Sequence, residues 1–165
     1  MPVRIQELWI PAGRRGTAAV LETMAQMVRD SARDPAVRRA ALDLVQTCYA
    51  SNYEDFVFGV RSLFCRNFRW IDEPDEMVTP PGRLLRSISE TGCAWGDCDD
   101  GAVLSAALFY SVGFSVRFRA ILEAPDGSFC HVFTEYRAPN SDLWKIFDPS
   151  ISQLPRYDSS LVSEV

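Results

Sequence analysis

Residues 92–113 read GCAWGDCDDGAVLSAALFYSVG, and they predict a helix whose first residue is a cysteine. Asp97 suits the N-cap position, because its carboxylate can accept a backbone N–H of the first turn. Asp100 stands three positions later, where an acidic side chain can reach back as in a capping box. Gly113 suits the position just past the helix end. The apolar residues between them repeat on one face of a helix: Val103, Leu104, Ala107 and Leu108.

Cys98, the predicted first residue of this helix, meets two opposing electrostatic effects. The positive end of the helix dipole favours a thiolate. The negative charges of Asp97, Asp99 and Asp100 disfavour a further anion. The stretch by itself therefore leaves two interpretations open. Cys98 is either a nucleophile that needs a base elsewhere in the chain, or a small buried hydrophobic residue, as most free cysteines are.

The composition is that of a globular protein, with 165 residues, 47% hydrophobic and 24% charged. We expect one domain over residues 1–165, without internal repeats. It would consist of an N-terminal extended segment with helices (1–53), a core (54–150) and a C-terminal tail (151–165).

Charge and cysteine content exclude several functional classes. The net charge is −5, and no run of Lys or Arg exceeds two residues, which argues against a nucleic-acid or membrane-surface partner. No apolar run approaches the roughly 20 residues of a membrane span. The N-terminal residues lack the apolar stretch of a signal peptide. With an odd number of cysteines, five, we expect reduced thiols in the cytoplasm.

The remaining elements follow from periodicity. Three helices are predicted at about 17–33 with Thr17 as cap, 35–50 opened by Asp34-Pro35, and 54–67. Residues 68–92, rich in proline and acids, predict a long ordered loop. Alternating apolar residues then predict three strands, at 114–122, 129–137 and 143–148, with a turn at 125–127. Helices followed by an antiparallel meander indicate an α+β fold, with the Cys98 helix packed on the sheet.

If Cys98 uses a histidine as its base, the sequence offers one residue for this role. His131 is the one histidine in the chain and lies in the middle predicted strand. Asp148, at the end of the next strand, could bind the far imidazole nitrogen and stabilise the imidazolium. Cys98, His131 and Asp148 thus fit the roles of nucleophile, base and orienting group. Taken singly, His131 also fits an ordinary strand histidine, and Asp148 a turn residue before proline.

Three sequence blocks together resemble the transglutaminase-like superfamily, in its small bacterial or phage-type members. They are GDCDD at 96–100, CHVFTE at 130–135 and WKIFDP at 144–149, in the family's order and spacing. Residues 71–85 are similar to the loop before the nucleophile in bacterial members. The resemblance covers about 54–150.

The resemblance implies a papain-like fold, a Cys98–His131–Asp148 triad and a thioester intermediate, with no cofactor and no metal. The Cys98 backbone N–H would be the first oxyanion donor. Trp95 or Trp70 would supply the second or contact substrate, since no glutamine lies between Gln46 and Cys98.

The cysteines also fit two other uses. Cys93, Cys98, Cys130 and His131 could in principle bind zinc, but adjacent residues of one strand point to opposite faces, so Cys130 and His131 could hardly share an ion. A regulatory disulfide between Cys93 and Cys98 is compatible with the spacing.

Two functions are therefore expected from the sequence. The first is a cysteine-dependent acyl-transfer enzyme acting on a protein or peptide substrate, with hydrolysis favoured over cross-linking. The second is a structural protein that keeps the fold without activity, for instance in a phage virion or assembly complex, with protein partners. The first predicts a cytoplasmic location and the second a virion-associated one.

Overall fold

The computed structural model describes residues 13–47, 52–71, 77–123, 128–150 and 160–165. Within these ranges the fold is α+β, with five helices and two sheets. The helices are α1 (Arg14–Ser31), α2 (Pro35–Thr47), α3 (Tyr53–Asn67), α4 (Pro81–Thr91) and α5 (Cys98–Ser111). The strands are β1 (Phe68–Trp70), β2 (Ala94–Gly96), β3 (Ser115–Glu123), β4 (Ser128–Arg137), β5 (Lys145–Phe147) and β6 (Ser160–Glu164).

The larger sheet contains the meander that alternation predicted, with one more strand. Its order is β5-β4-β3-β6, and all pairs are antiparallel. The predicted C-terminal tail (151–165) contains a strand at residues 160–164, which pair with Arg117–Ile121 of β3. Strand β6 is short and lies at the exposed edge of the sheet, where apolar and polar residues need not alternate. It is therefore recognisable only from its pairing with β3. The predicted N-terminal extended segment before residue 13 and the turn at 125–127 lie outside the described residues.

Helix α5 is the centre of the molecule. The prediction of a single apolar face was too narrow, because every residue from Asp99 to Phe109 is buried. The sheet covers one side of α5, and α1 and α2 pack against others. Small and apolar residues occur on all sides of this helix, which is typical of a fully buried helix. Cys98 therefore lies at the N-terminal end of a rigid central helix.

The predicted loop at 68–92 was wrong, because it contains β1 and helix α4. Pro80 is the N-cap of α4 and Pro81 its first residue, a position where proline costs no hydrogen bond. Gly92 ends the helix in the left-handed conformation (φ 84°) and donates its N–H to the carbonyl of Ile88. These proline and glycine signals were present in the sequence. Strand β1 pairs in parallel with β2, directly before the Cys98 helix.

The start of α1 differs from the prediction, whereas the start of α2 agrees with it. Gly13, not Thr17, is the N-cap of α1, with a positive φ of 72° that glycine tolerates. The helix consequently begins three residues earlier than predicted. At α2, Asp34 accepts the N–H of Ala36 at 2.8 Å, as its position before Pro35 indicated. Within the described residues, none of the helices combines the length and apolar character needed to cross a membrane.

Candidate active site

The start of α5 is fixed by Asp97. Its backbone is extended (φ −109°, ψ −157°), its side chain accepts the N–H of Asp99 at 3.2 Å, and its carbonyl accepts the N–H of Gly101 at 3.0 Å. These bonds make Asp97 the N-cap. Cys98 is then the first helical residue, half-buried and packed against the core. Its amide belongs to the first turn, whose N–H groups have no acceptor within the helix.

Asp100 connects the helix to the segment before α4. Its Oδ1 accepts the backbone N–H of Thr79 at 2.6 Å, a bond that the capping-box pattern does not predict. The Asp100 side chain is fully buried and lies directly against Gly96. The carboxylate therefore anchors the 77–80 segment and β2 to the turn of α5 that carries Cys98.

Asp99 is buried like Asp100, with 1% of its surface exposed. Burial raises the pKa of Asp99 to about 9, and the hydrogen bond with Asp97 and the charges of Asp97 and Asp100 add to this effect. Asp99 therefore keeps its proton at neutral pH. The negative charge next to Cys98 is smaller by one than the sequence suggests, so the electrostatic objection to a thiolate is weaker.

The structure brings His131 and Asp148 into direct contact. Nε2 of His131 lies 2.6 Å from Oδ2 of Asp148. The other carboxylate oxygen, Oδ1, accepts the backbone N–H of Ser150 at 2.9 Å and its hydroxyl at 2.6 Å. Burial alone would raise the pKa of Asp148, but the bonds from His131 and Ser150 outweigh it and hold the pKa below its usual value. Asp148 is therefore an ionised, oriented acceptor for the imidazole.

Helix α5 and strand β4 run in the same direction. Phe109 stacks on Tyr136 with ring centroids 4.9 Å apart. Toward the N-termini, the hydroxyl of Thr134 donates to the carbonyl of Ala102 and lies 2.9 Å from the hydroxyl of Ser105. Cys98 is one helical turn before Ala102, about 6 Å away, and His131 is three strand residues before Thr134, about 10 Å away. Cys98 and His131 therefore lie at the same end of the α5–β4 pair.

The two candidate tryptophans occupy different surroundings. Trp70 stacks on Phe64 (centroids 6.1 Å apart, planes 9° apart), and the far edge of its six-membered ring faces Gly101 on α5. This edge consists of carbon atoms, and the indole N–H belongs to the other ring, so Trp70 meets the Cys98 helix with carbon atoms. Trp95 is 57% exposed and lies in β2, three residues before Cys98.

Comparisons with known proteins bear on the fold. No protein-family profile matches the sequence, and no curated protein matches it. The structure is similar to that of a protein from Parabacteroides distasonis that is described as a protease candidate. The two share 16% sequence identity and a TM-score of 0.52, over 91% of this chain and 35% of that protein. The likeness shows a shared fold, and this chain spans about a third of that neighbour's length.

The described residues contain one group of three or more potential metal ligands, Asp97, Asp99 and Asp100, whose ligand atoms lie within 4.8 Å of one another. Two of these carboxylates are already engaged as the N-cap and as the acceptor for Thr79. Cys93, Cys98 and His131 do not form such a group, and no disulfide joins Cys93 to Cys98. The side chain of Cys130 lies outside the described residues.

Replacing the two glycines near Cys98 by alanine should change the stability of the protein by different amounts. A methyl group at Gly96 would lie 2.7 Å from the Cβ of Asp100, which is buried and anchored. We expect Gly96→Ala to lower the free energy of unfolding by about 1–3 kcal/mol, the usual cost of overpacking. A methyl group at Gly101 meets the outer edge of Trp70, which is partly exposed and can shift. Alanine also favours the helix by about 0.5–1 kcal/mol, so Gly101→Ala should stay within about 1 kcal/mol of wild type.

Urea unfolding of the two variants checks this pair of predictions. Equal losses in both, or a larger loss in Gly101→Ala, would contradict the packing described around Gly96.

Proposed function

We propose that the chain is a cysteine-dependent acyl-transfer enzyme with a transglutaminase-like core, which hydrolyses amide or peptide bonds through a thioester on Cys98. The observation that carries the proposal is the 2.6 Å contact between His131 Nε2 and Asp148 Oδ2. An oriented histidine–carboxylate pair at the N-terminal end of the helix that begins with a cysteine is the arrangement that cysteine nucleophiles use. The structural neighbour's description as a protease candidate points in the same direction.

The roles follow from which imidazole nitrogen Asp148 binds. An ionised Asp148 at Nε2 selects the tautomer with its hydrogen on Nε2, which leaves the lone pair on Nδ1. Nδ1 would take the thiol proton as Cys98 Sγ bonds to the carbonyl carbon. The imidazolium would then return this proton to the leaving amine as the C–N bond breaks. Water, activated by the same nitrogen, would cleave the thioester and release the acid.

The developing oxyanion needs hydrogen-bond donors at the start of α5. The backbone N–H of Cys98 is the first donor that we propose, because it lies at the positive end of the helix dipole. For the second donor we favour the indole of Trp95, since Trp70 meets the helix with the carbon edge of its six-membered ring.

The proposal requires a specific approach of His131 to Cys98. By strand alternation His131 lies on the opposite face of β4 from Thr134, the residue that bonds to α5. His131 would therefore reach Cys98 around the end of the helix–sheet interface. The register of the β3–β4 pair shifts at this end, between Ile121 and Leu122. Such an irregularity re-aims side chains near a strand end.

Thiol alkylation tests the proposal without a known substrate. At pH 6.5 an ordinary thiol with a pKa of about 8.5 is roughly 1% thiolate, so it reacts slowly with iodoacetamide. We expect Cys98 to react at least tenfold faster than exposed Cys65 in the same protein, since an imidazolium partner stabilises the thiolate by at least the 1.4 kcal/mol that a factor of ten requires. Mass spectrometry of the modified peptides gives both rates, so Cys65 serves as the internal control.

His131→Ala should remove this advantage of Cys98 and leave the rate at Cys65 unchanged. If Cys98 reacts no faster than Cys65, or is indifferent to His131, the enzyme proposal fails. A fold retained in an assembly protein would then be the better account.

A further inference from the structure

Asp148 is held from two sides. Oδ2 meets His131, while Oδ1 accepts both the N–H and the hydroxyl of Ser150. The two bonds from Ser150 form a tight turn of the kind that aspartate makes with the residue two positions on. Pro149 between them restricts the backbone of this turn. Among the described residues, the hydroxyl of Ser150 is the one side-chain donor to the Asp148 carboxylate besides His131.

We infer that Ser150 is a positioning residue, whose hydroxyl fixes the rotation of the Asp148 carboxylate so that Oδ2 stays aligned with His131. This inference rests on the proposed function. The terminal torsion of an aspartate is broad and has no strong intrinsic preference. The nearby Arg61 reaches only the backbone carbonyl of Asp148, at 3.5 Å, and packs over the ring of Phe147. Arg61 therefore places the strand end, and the carboxylate itself needs a second anchor.

A purely structural role for Ser150 predicts something different. If the hydroxyl only closed the turn after β5, its loss would lower the stability of the fold and leave the chemistry of His131 and Cys98 unchanged. A positioning role predicts that the histidine senses the loss. The protein contains a single histidine, so its imidazole resonances are assigned without ambiguity.

The experiment compares three variants in two measurements, the rate of Cys98 alkylation between pH 6 and 8 and the ¹H–¹⁵N signal of the His131 Nε2–H. Ser150→Ala should slow alkylation about tenfold, the size expected for one lost hydrogen bond to a charged group, and weaken or shift the Nε2–H signal. Ser150→Thr, which keeps the hydroxyl, should restore both. Ser141→Ala is the matched control, because that hydroxyl accepts the N–H of Leu143 in the exposed turn before β5.

An unchanged rate and an unchanged Nε2–H signal in folded Ser150→Ala would overturn the inference. If Ser150→Ala does not fold, Ser150→Cys, whose thiol is a weak donor, takes its place with the same expectation. Failure of the proposed function looks different, because wild-type Cys98 would then be indifferent to His131→Ala. In that case the Nε2–H signal alone still decides whether Ser150 orients the pair.

Discussion

Asp148→Asn is expected to slow the alkylation of Cys98 at pH 6.5 by between about tenfold and about a hundredfold, the upper bound being set by an ordinary thiol, which is still about 1% thiolate at this pH. The loss is expected to exceed that of any other single change outside Cys98 and His131. It has a cause that can be read from the surroundings of the carboxylate, because the two oxygens of Asp148 face different partners.

Ser150 decides how an asparagine at position 148 would point. Its N–H and hydroxyl are both directed at the Oδ1 position, so the amide oxygen is needed there. The NH₂ group is then left facing Nε2 of His131. A donor opposite Nε2 selects the tautomer with its hydrogen on Nδ1. That tautomer has no lone pair on the nitrogen that is proposed to take the thiol proton.

The same argument predicts that two harmful changes partly compensate. In Asp148→Asn/Ser150→Ala the hydroxyl is lost and the N–H of residue 150 is the remaining donor at the Oδ1 position. With one anchor fewer, the amide turns its oxygen toward His131 in a larger share of the molecules, so alkylation of Cys98 should be faster than in Asp148→Asn alone, by less than about tenfold. The ¹⁵N shifts of the single imidazole report the tautomer in each variant. Asp142→Asn, at an exposed position in the neighbouring turn, is the control. A double variant slower than Asp148→Asn, or a single variant near wild-type rate, would contradict the assigned geometry.

Asp99→Asn is expected to stabilise the protein and to flatten its dependence on pH. The pKa of Asp99 is about 9 in the folded state and near its ordinary value of 3.8 in the unfolded chain. Between these values the unfolded chain releases a proton that the native state keeps. The free energy of unfolding therefore falls by up to about 1.4 kcal/mol per pH unit as the pH rises. Asparagine has the same shape, can donate a hydrogen bond and cannot ionise.

The comparison is best made between pH 5 and pH 8. The lowered pKa of Asp148 acts in the other direction, with stability lost as the pH falls below about 4, so it adds no slope in this window. Urea unfolding at each pH should give curves for wild type and Asp99→Asn that diverge, with the variant the more stable at pH 8. Asp142→Asn should run parallel to wild type. Parallel curves for Asp99→Asn would mean that Asp99 is ionised in the folded protein.

The sequence predicts those features whose cause is local. The N-cap residue Asp97 places the start of α5 at Cys98, and alternation places β3 and β4. The features that it misses depend on partners distant in the chain. A strand of three residues such as β2, or an edge strand such as β6, is recognisable only from its pairing.

The site shows the same division. His131 and Asp148 were expected to meet, and the structure places them in contact. The sequence offers Asp97, Asp99 and Asp100 as three negative charges near Cys98, and the burial of Asp99 and Asp100 comes from the elements packed around α5. Ser150 was overlooked, although an aspartate followed by proline and serine is a recognisable turn signal. A capping box was expected of Asp100, yet its contact with Thr79 crosses 21 residues and has no local signature.

The buried link between Ser105, Thr134 and the Ala102 carbonyl has a consequence for how the protein fluctuates. It joins the helix that begins with Cys98 to the strand that contains His131, at a point without access to water. Local openings in native proteins take place where few buried contacts must break, and elements at the centre open only with the whole domain. Helix α5 and strand β4 are therefore expected to separate only when the whole domain unfolds, so the two parts of the proposed site would keep their relative position for as long as the native state lasts.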